Sequence, residues 1–292
     1  MLALQKSTRT NANRASQISN NRIKDMKTVV VTGGSSGIGL DIAKAYTKKG
    51  ANVILLARNQ ARLNKAASEC KALVKFDTQQ VLSLCVDVTN KSQLADAVAV
   101  IKQQVGDPDL LILSAGIVVS KRFIEQKDDD FDAIIQTNVM GSRAVAKAFL
   151  PDMIKRQSGQ ICFISSLGGI ISTYGYSAYS ASKFAVIGMA GCMRQELAEY
   201  NVGVSVVCPP EVNTPMVTKE SEHILPQTRF IKDIGGTLQP EAVTKATLKG
   251  VAKNQFIIVP GLMAKFSYWQ ARVFPKTFGA FIQLLVRYSS AK

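Results

Sequence analysis

From Lys27 onward, short and almost wholly apolar runs alternate with longer stretches of helical periodicity. Thr28–Thr32 (TVVVT) predicts a first strand, followed by a glycine-rich turn and a helix over Ile38–Lys49 that Gly50 closes. Further strands are predicted at Asn52–Ala57, Val81–Val86, Leu110–Leu113, Gln160–Ile164, Gly203–Val207 and Phe256–Val259. Between them the pattern predicts helices over 59–75, Ser92–Val105, 128–155 and Ala178–Tyr200. Strands apolar on both faces, alternating with helices, belong to a parallel sheet covered on both sides. No repeat or low-complexity linker interrupts the series. Residues 27–260 are therefore expected to form one doubly wound α/β domain.

The turn Thr32-Gly-Gly-Ser-Ser-Gly-Ile-Gly39 joins the first strand to the first helix. Glycine permits positive φ and close backbone approach, and the helix N-terminus offers free N–H groups to an anion. In that setting Gly33, Ser35, Ser36, Gly37, Ile38 and Gly39 are candidates for holding the pyrophosphate of a dinucleotide, as in a Rossmann-type doubly wound parallel sheet. Gly33–Gly37 also fits G-x-S-x-G, but the only histidine, His223, lies in a polar stretch and makes a poor triad base. There is no Gly-Lys-Ser/Thr, which excludes a P-loop hydrolase. The second strand ends in Leu55-Leu-Ala-Arg58-Asn59, with Arg62 one turn on and no carboxylate before Glu69. A basic group there suits the 2′-phosphate of NADP, whereas an acidic one would bind the NAD ribose. NADPH/NADP is the expected cofactor, with Arg58 and Arg62 at its phosphate; a solvated loop arginine is the alternative for Arg58.

Tyr179-Ser-Ala-Ser-Lys183 opens the helix that follows the fifth strand. The i, i+4 spacing places phenol and ammonium on one face. A neighbouring Lys⁺ favours phenolate and is expected to lower the Tyr179 pKa toward acid–base work. Alone the pair says little, but Ser166 ends the preceding strand thirteen residues earlier. The order T-G-x-x-x-G-x-G, Asp87-Val88, Asn138, Ser166, Tyr179 and Lys183 resembles the short-chain dehydrogenases/reductases of the classical type over residues 27–216. The resemblance implies that Tyr179 donates or accepts the proton, that Lys183 lowers its pKa and holds the nicotinamide ribose, and that Ser166 orients a substrate carbonyl. It further implies a water-linked proton relay through Asn138. Asp87 and Val88 would meet the adenine end, and Val212 and Thr214 the carboxamide.

Two positions depart from the family pattern. Ser114-Ala-Gly116 replaces the usual Asn-Ala-Gly, and Pro209-Pro210 replaces Pro-Gly. With T-G-G-S-S-G-I-G and A-R-N, the second departure is similar to the branch that reduces 3-ketodihydrosphingosine, a long-chain lipid ketone. The implied activity is NADPH-dependent reduction of a ketone to a secondary alcohol. The alternative is another carbonyl or alcohol substrate: a 3-oxoacyl chain, a steroid-like compound or a small ketone. Between Thr214 and Pro240, Met216, Ile224, Leu225, Phe230 and Ile231 stand where the family carries a substrate lid, and His223 reads as an exposed lid residue.

Two features of the last residues add a possible location. Within 262–274, Leu262, Phe266, Trp269 and Val273 share a helical face; after Pro275, Phe278, Phe281, Ile282 and Leu285 make a second. Residues 261–292 thus read as a basic amphipathic helical extension, suited either to lying peripherally on a membrane surface or to covering the domain core or a second subunit. The net charge of +15 is placed accordingly: residues 242–292 carry eight basic and no acidic residues, residues 1–26 carry five and one. The body is nearly neutral, which argues against a nucleic-acid partner. Residues 1–26 read as a disordered basic tail, a targeting leader or the stretch before an internal start at Met26. With 47% hydrophobic and 20% charged residues, wholesale disorder is excluded. One histidine excludes the common zinc sites. Five scattered cysteines with no CxxC read as buried thiols in a reducing compartment, hence a cytoplasmic location. The family resemblance is also compatible with a homo-oligomer.

Overall fold

The computed structural model describes residues 27–290, so the tail assigned to residues 1–26 lies outside the described residues. Seven parallel strands form the central sheet: β1 (Thr28–Thr32), β2 (Asn52–Ala57), β3 (Val81–Cys85), β4 (Leu110–Leu113), β5 (Gly159–Ile164) and β6 (Val202–Val207), with the short β9 (Ile257–Ile258) at one edge. Their order is β3-β2-β1-β4-β5-β6-β9. The order reverses between β1 and β4, and in such sheets ligands bind beyond the C-terminal strand ends at that switch. A separate two-stranded pair, β7 (Glu211–Val212) with β8 (Thr237–Leu238), lies beyond β6.

The helices in chain order are α1 (Gly37–Thr47), α2 (Gln60–Lys71), α3 (Lys91–Gln104), α4 (Asp128–Ile135), α5 (Ser142–Arg156) and α6 (Ser177–Glu196). Then come α7 (Pro215–Ser221), α8 (Pro226–Gly235), α9 (Pro240–Ala252), α10 (Leu262–Val273) and α11 (Pro275–Ser290). Local chemistry explains several starts. Asn59 and Asn90 accept from the backbone N–H of Arg62 (2.9 Å) and Gln93 (3.1 Å) as N-caps. Proline opens α7, α8 and α9, where its fixed φ suits the first turn and its missing N–H costs nothing. Residues of β1, β4 and β5 are buried on both faces, one set packing with Phe149 and Phe163, the other with Ile42 and Leu63.

Two expectations need amendment. The helix expected over 128–155 is interrupted by a π-helical segment, Gln136–Gly141. Close packing accompanies it: a Cβ on Gly141 would stand 2.6 Å from Val88 Cγ2. The lid is built of helices α7 and α8. Of the cysteines, Cys70, Cys162 and Cys208 are buried, but Cys85 and Cys192 are exposed. Cys85 ends the edge strand β3, and Cys192 lies on an outward face of α6.

The C-terminal helices fold back onto the lid. The α11 helix packs against α8, with the Phe230 and Tyr288 rings 6.3 Å apart, while Ala264 of α10 is buried in the core. Among the described residues no helix is long and apolar enough to cross a membrane.

Candidate active site

A cleft of about 690 Å³ lies over the switch point of the sheet. One end is the glycine turn. Gly33 (φ +64°) and Gly37 (φ +55°) adopt left-handed backbone that side chains resist. A Cβ on Gly33 would meet the Ser114 carbonyl oxygen at 2.8 Å. One on Gly37 would fill the gap to Thr214 Cγ2, 3.1 Å away. Ser35, Ser36 and Ile38 line the same end; Gly39 packs behind it, where a Cβ would stand 2.6 Å from the Gly33 carbonyl. The Thr32 hydroxyl accepts from the N–H groups of Ser114 (3.0 Å) and Ala115 (3.1 Å), clamping the turn after β4 to the turn after β1. With Ser in place of the usual Asn, these two bonds hold the loop.

Arg58 and Arg62 line the cleft beside the end of β2. Arg58 is largely exposed and faces Asp87 at 3.7 Å. Burial works to raise the Asp87 pKa, but Thr89 donates to its Oδ1 from N (2.9 Å) and Oγ1 (2.8 Å), and with Arg58 these hold it below the usual range. Val88 lines the cleft, whereas Asp87 stands at its rim beside Arg58. Val212 and Thr214 close the cleft from the far side. A backbone cradle, a helix N-terminus and two arginines just beyond β2, with no carboxylate on that strand, make a donor set that fits a phosphorylated dinucleotide.

At the other end Ser166, Tyr179 and Lys183 converge. Ser166 caps a short 3₁₀ turn, its Oγ accepting from Gly168 N at 3.0 Å. Lys183 Nζ donates to the Ile164 carbonyl (3.0 Å) and lies 5.5 Å from the centre of the Tyr179 ring. Ser165 locks the helix to β5 by donating to the Lys183 carbonyl (3.0 Å). The expected lowering of the Tyr179 pKa is not found. Burial pushes the phenol up to about 12, with the Glu220 charge adding to it and a hydrogen bond with Ser166 opposing it. Burial likewise pushes Lys183 down to about 8. Desolvation is the largest cause of both shifts. The consequence is a phenol that stays protonated near neutral pH, the form a proton donor needs.

Asn138 stands behind the cleft wall, within the π-helical segment. Its Oδ1 accepts from Ile117 N (2.8 Å), and its Nδ2 donates to Ile117 O (3.0 Å) and Ser182 Oγ (2.9 Å). Gly116 lets it approach Lys183: a Cβ there would sit 3.2 Å from Asn138 Oδ1 and 3.5 Å from Lys183 Nζ. The side chain thus fixes the loop after β4 against the helix that carries Tyr179.

A family model described as short chain dehydrogenase matches residues 27–225. The chain belongs to that family. Similar members include a 3-dehydrosphinganine reductase of Danio rerio, 37% identical over 229 residues, spanning 78% of this chain and 69% of that protein. A 3-ketodihydrosphingosine reductase of Bos taurus is 36% identical over the same shares. Among solved structures, an actinorhodin polyketide ketoreductase variant with NADPH superposes with a TM-score of 0.72 at 28% identity, over 81% of this chain and 96% of that one. A short-chain type dehydrogenase/reductase from Mycobacterium marinum gives 0.72 at 26%, over 82% and 97%.

Apart from the residues named above, this short-chain dehydrogenase has a polar cluster that sequence reasoning missed. The Tyr176 hydroxyl donates to Glu220 Oε1. Lys232 Nζ donates to Tyr176 (3.1 Å) and Glu220 (3.0 Å) and pairs with Glu211 at 2.6 Å. Arg229 grips Glu211 with both terminal nitrogens, at 3.0 and 3.1 Å, and Thr237 donates to Glu211 at 2.7 Å. Burial raises the Glu211 pKa, but these donors outweigh it and hold the carboxyl at about 2. The only hint in the sequence was Glu211 in Pro209-Pro-Glu. His223 is exposed on the lid, as expected, and Met216 and Ile231 line the cleft. The second C-terminal face also lines it: Phe278, Phe281, Ile282 and Leu285 form a wall together with Met263 and Phe266.

Proposed function

We propose that this short-chain dehydrogenase reduces the ketone of a long-chain lipid, such as 3-ketodihydrosphingosine, with NADPH. The observation that carries the reading is one cleft holding, at its polar end, Ser166, Tyr179 and Lys183, and continuing between two apolar walls. One wall comes from the lid (Met216, Ile231, Ile234) and the other from α10 and α11. A small polar ketone would leave those walls wet, whereas an alkyl chain gains by covering them, about 25 cal/mol for each Å² removed from water. The 3-ketodihydrosphingosine reductases among its relatives support the same substrate class.

When bound, NADPH supplies the hydride that adds to the carbonyl carbon. The chain's own residues do the rest. Gly33, Ser35, Ser36, Gly37 and Ile38 offer backbone and hydroxyl donors to the pyrophosphate, and Arg58 and Arg62 supply positive charge for the 2′-phosphate. Ser166 donates to the substrate carbonyl and turns it toward Tyr179. The Tyr179 hydroxyl gives its proton to the carbonyl oxygen, and the resulting phenolate is stabilised by the Lys183 ammonium. Asn138 acts by position, keeping the loop after β4 seated beside Lys183. The test is loss of NADPH absorbance with long-chain and short-chain ketones. Preference for the long chain supports the reading; equal kcat/KM for acetone-sized ketones would refute it.

A different surface supports a location for the protein. Leu262, Trp269, Val273, Phe274 and Leu284 are exposed, outside the cleft, and interspersed with Lys265, Arg272, Lys276 and Arg287. A basic surface with exposed aromatics supports peripheral attachment to an anionic membrane, beside the wall through which a lipid would enter.

A further inference from the structure

We infer that Glu220 recognises the cationic amino group on the carbon next to the substrate ketone. The inference rests on the lipid-ketone reading above and assigns the polar end of that same cleft a selective contact. Glu211 and Glu220 are the only carboxylates on the cleft wall among the described residues. Glu211 is fully engaged by Arg229, Lys232 and Thr237. Glu220 is different. Its side chain is only 5% exposed, and it accepts one bond on each oxygen, from Tyr176 and Lys232. A carboxylate has about four acceptor positions, so roughly two remain on this cleft-lining residue.

Position and charge agree. Tyr176, which holds Glu220, packs its ring 5.4 Å from that of Tyr179, and the Glu220 charge acts on the Tyr179 phenol. A ketone oxygen at Tyr179 therefore brings a group on the adjacent carbon within reach of Glu220. The ion cluster contains Glu211, Glu220 and Asp233 against Arg229 and Lys232, one negative charge in excess. Lys232 leans toward Glu211 (2.6 Å) more than Glu220 (3.0 Å), which leaves Glu220 as the place where a further cation completes the balance. An ammonium bound there also offsets the negative charge that opposes phenolate at Tyr179, so it aids the proton transfer as well as binding.

The test compares 3-ketodihydrosphingosine with the same chain lacking its amino group, in full-length wild type and Glu220→Gln. Wild type is expected to favour the amino ketone in kcat/KM by about tenfold or more, the scale of a charge-assisted contact. Glu220→Gln should bring that ratio close to one. Since the substitution removes a buried charge, a second measurement uses wild type alone: dihydrosphingosine should inhibit at least about tenfold more tightly than its N-acetyl derivative. Equal kcat/KM for the two ketones in wild type, an unchanged ratio in Glu220→Gln, or equal inhibition by the two products would overturn the inference while leaving the lipid-ketone reading in place. Reduction of neither long-chain ketone would overturn that reading, and the inference with it.

Discussion

Raising the pH should move activity and stability in opposite directions, because both depend on the Lys183 proton. Burial lowers the Lys183 pKa from 10.5 to about 8, a shift worth about 3 kcal/mol against the charged form at ~1.4 kcal/mol per unit. In the proposed mechanism the ammonium stabilises the Tyr179 phenolate, so kcat/KM should fall above about pH 8, approaching tenfold per unit. Stability runs the other way. Between pH 8 and 10.5 the unfolded chain holds a proton on this lysine that the folded protein has released, so folding gains as pH rises through that window. Tyr179 has the opposite sign: its folded pKa is raised to about 12, so above its unfolded value of 10.0 it begins to subtract. Lys183→Met isolates the lysine. The assay is urea unfolding of wild type and variant at about pH 7 and pH 9.5, alongside the rate profile. The stability gap between the two proteins should shift in favour of wild type by about 2 kcal/mol between those pH values. A flat rate profile through pH 9.5, or a constant gap, would refute the burial argument.

Four further substitutions separate the parts of the cleft and the surface beside it. Gly33→Ala imposes a left-handed alanine, about 1–2 kcal/mol, and a 2.8 Å contact with a backbone oxygen that cannot swing aside, so thermal unfolding should drop by several degrees. Gly37→Ala has the same φ sign but presses only on the Thr214 side chain, so it should weaken NADPH binding more than it lowers stability; equal stability losses in the two variants would contradict the geometry. Arg58→Ala should raise KM for NADPH about tenfold with little change for NADH, the low end of a charge-assisted bond because Arg58 already faces Asp87. Trp269→Glu should reduce co-sedimentation with anionic liposomes without altering reduction of a detergent-dispersed ketone, since Trp269 is half exposed and outside the cleft wall; unchanged sedimentation would remove the membrane role from α10.

Much of this was written in the sequence, for a physical reason. Apolar runs such as Val29–Val31 and Leu110–Leu113 can be satisfied only inside a covered parallel sheet, and the glycine turn between β1 and α1 admits few backbones. Ser166, Tyr179 and Lys183 were legible because one strand end and one helix face bring them together. Three things were not. The π-helical turn around Asn138 goes with close packing of Gly141 on Val88, a contact between segments far apart in sequence. The high Tyr179 pKa comes from desolvation, which no spacing rule reports. The Glu211–Lys232–Glu220 cluster spans β7, α8 and α7, and its members look like ordinary surface charges until the lid folds over Tyr176. The C-terminal aromatics were visible as two amphipathic faces, but only tertiary packing showed that one of them lines the cleft.

The central claim, that this cleft reduces a lipid ketone through the Tyr179 proton, is tested most directly by single-turnover reduction of 3-ketodihydrosphingosine in wild type and Tyr179→Phe, with NADPH binding measured in parallel. The account predicts secondary-alcohol product from wild type and loss of turnover by about a hundredfold or more in the variant, with NADPH affinity essentially retained. Turnover in Tyr179→Phe within a few-fold of wild type, while NADPH binds normally, would contradict it.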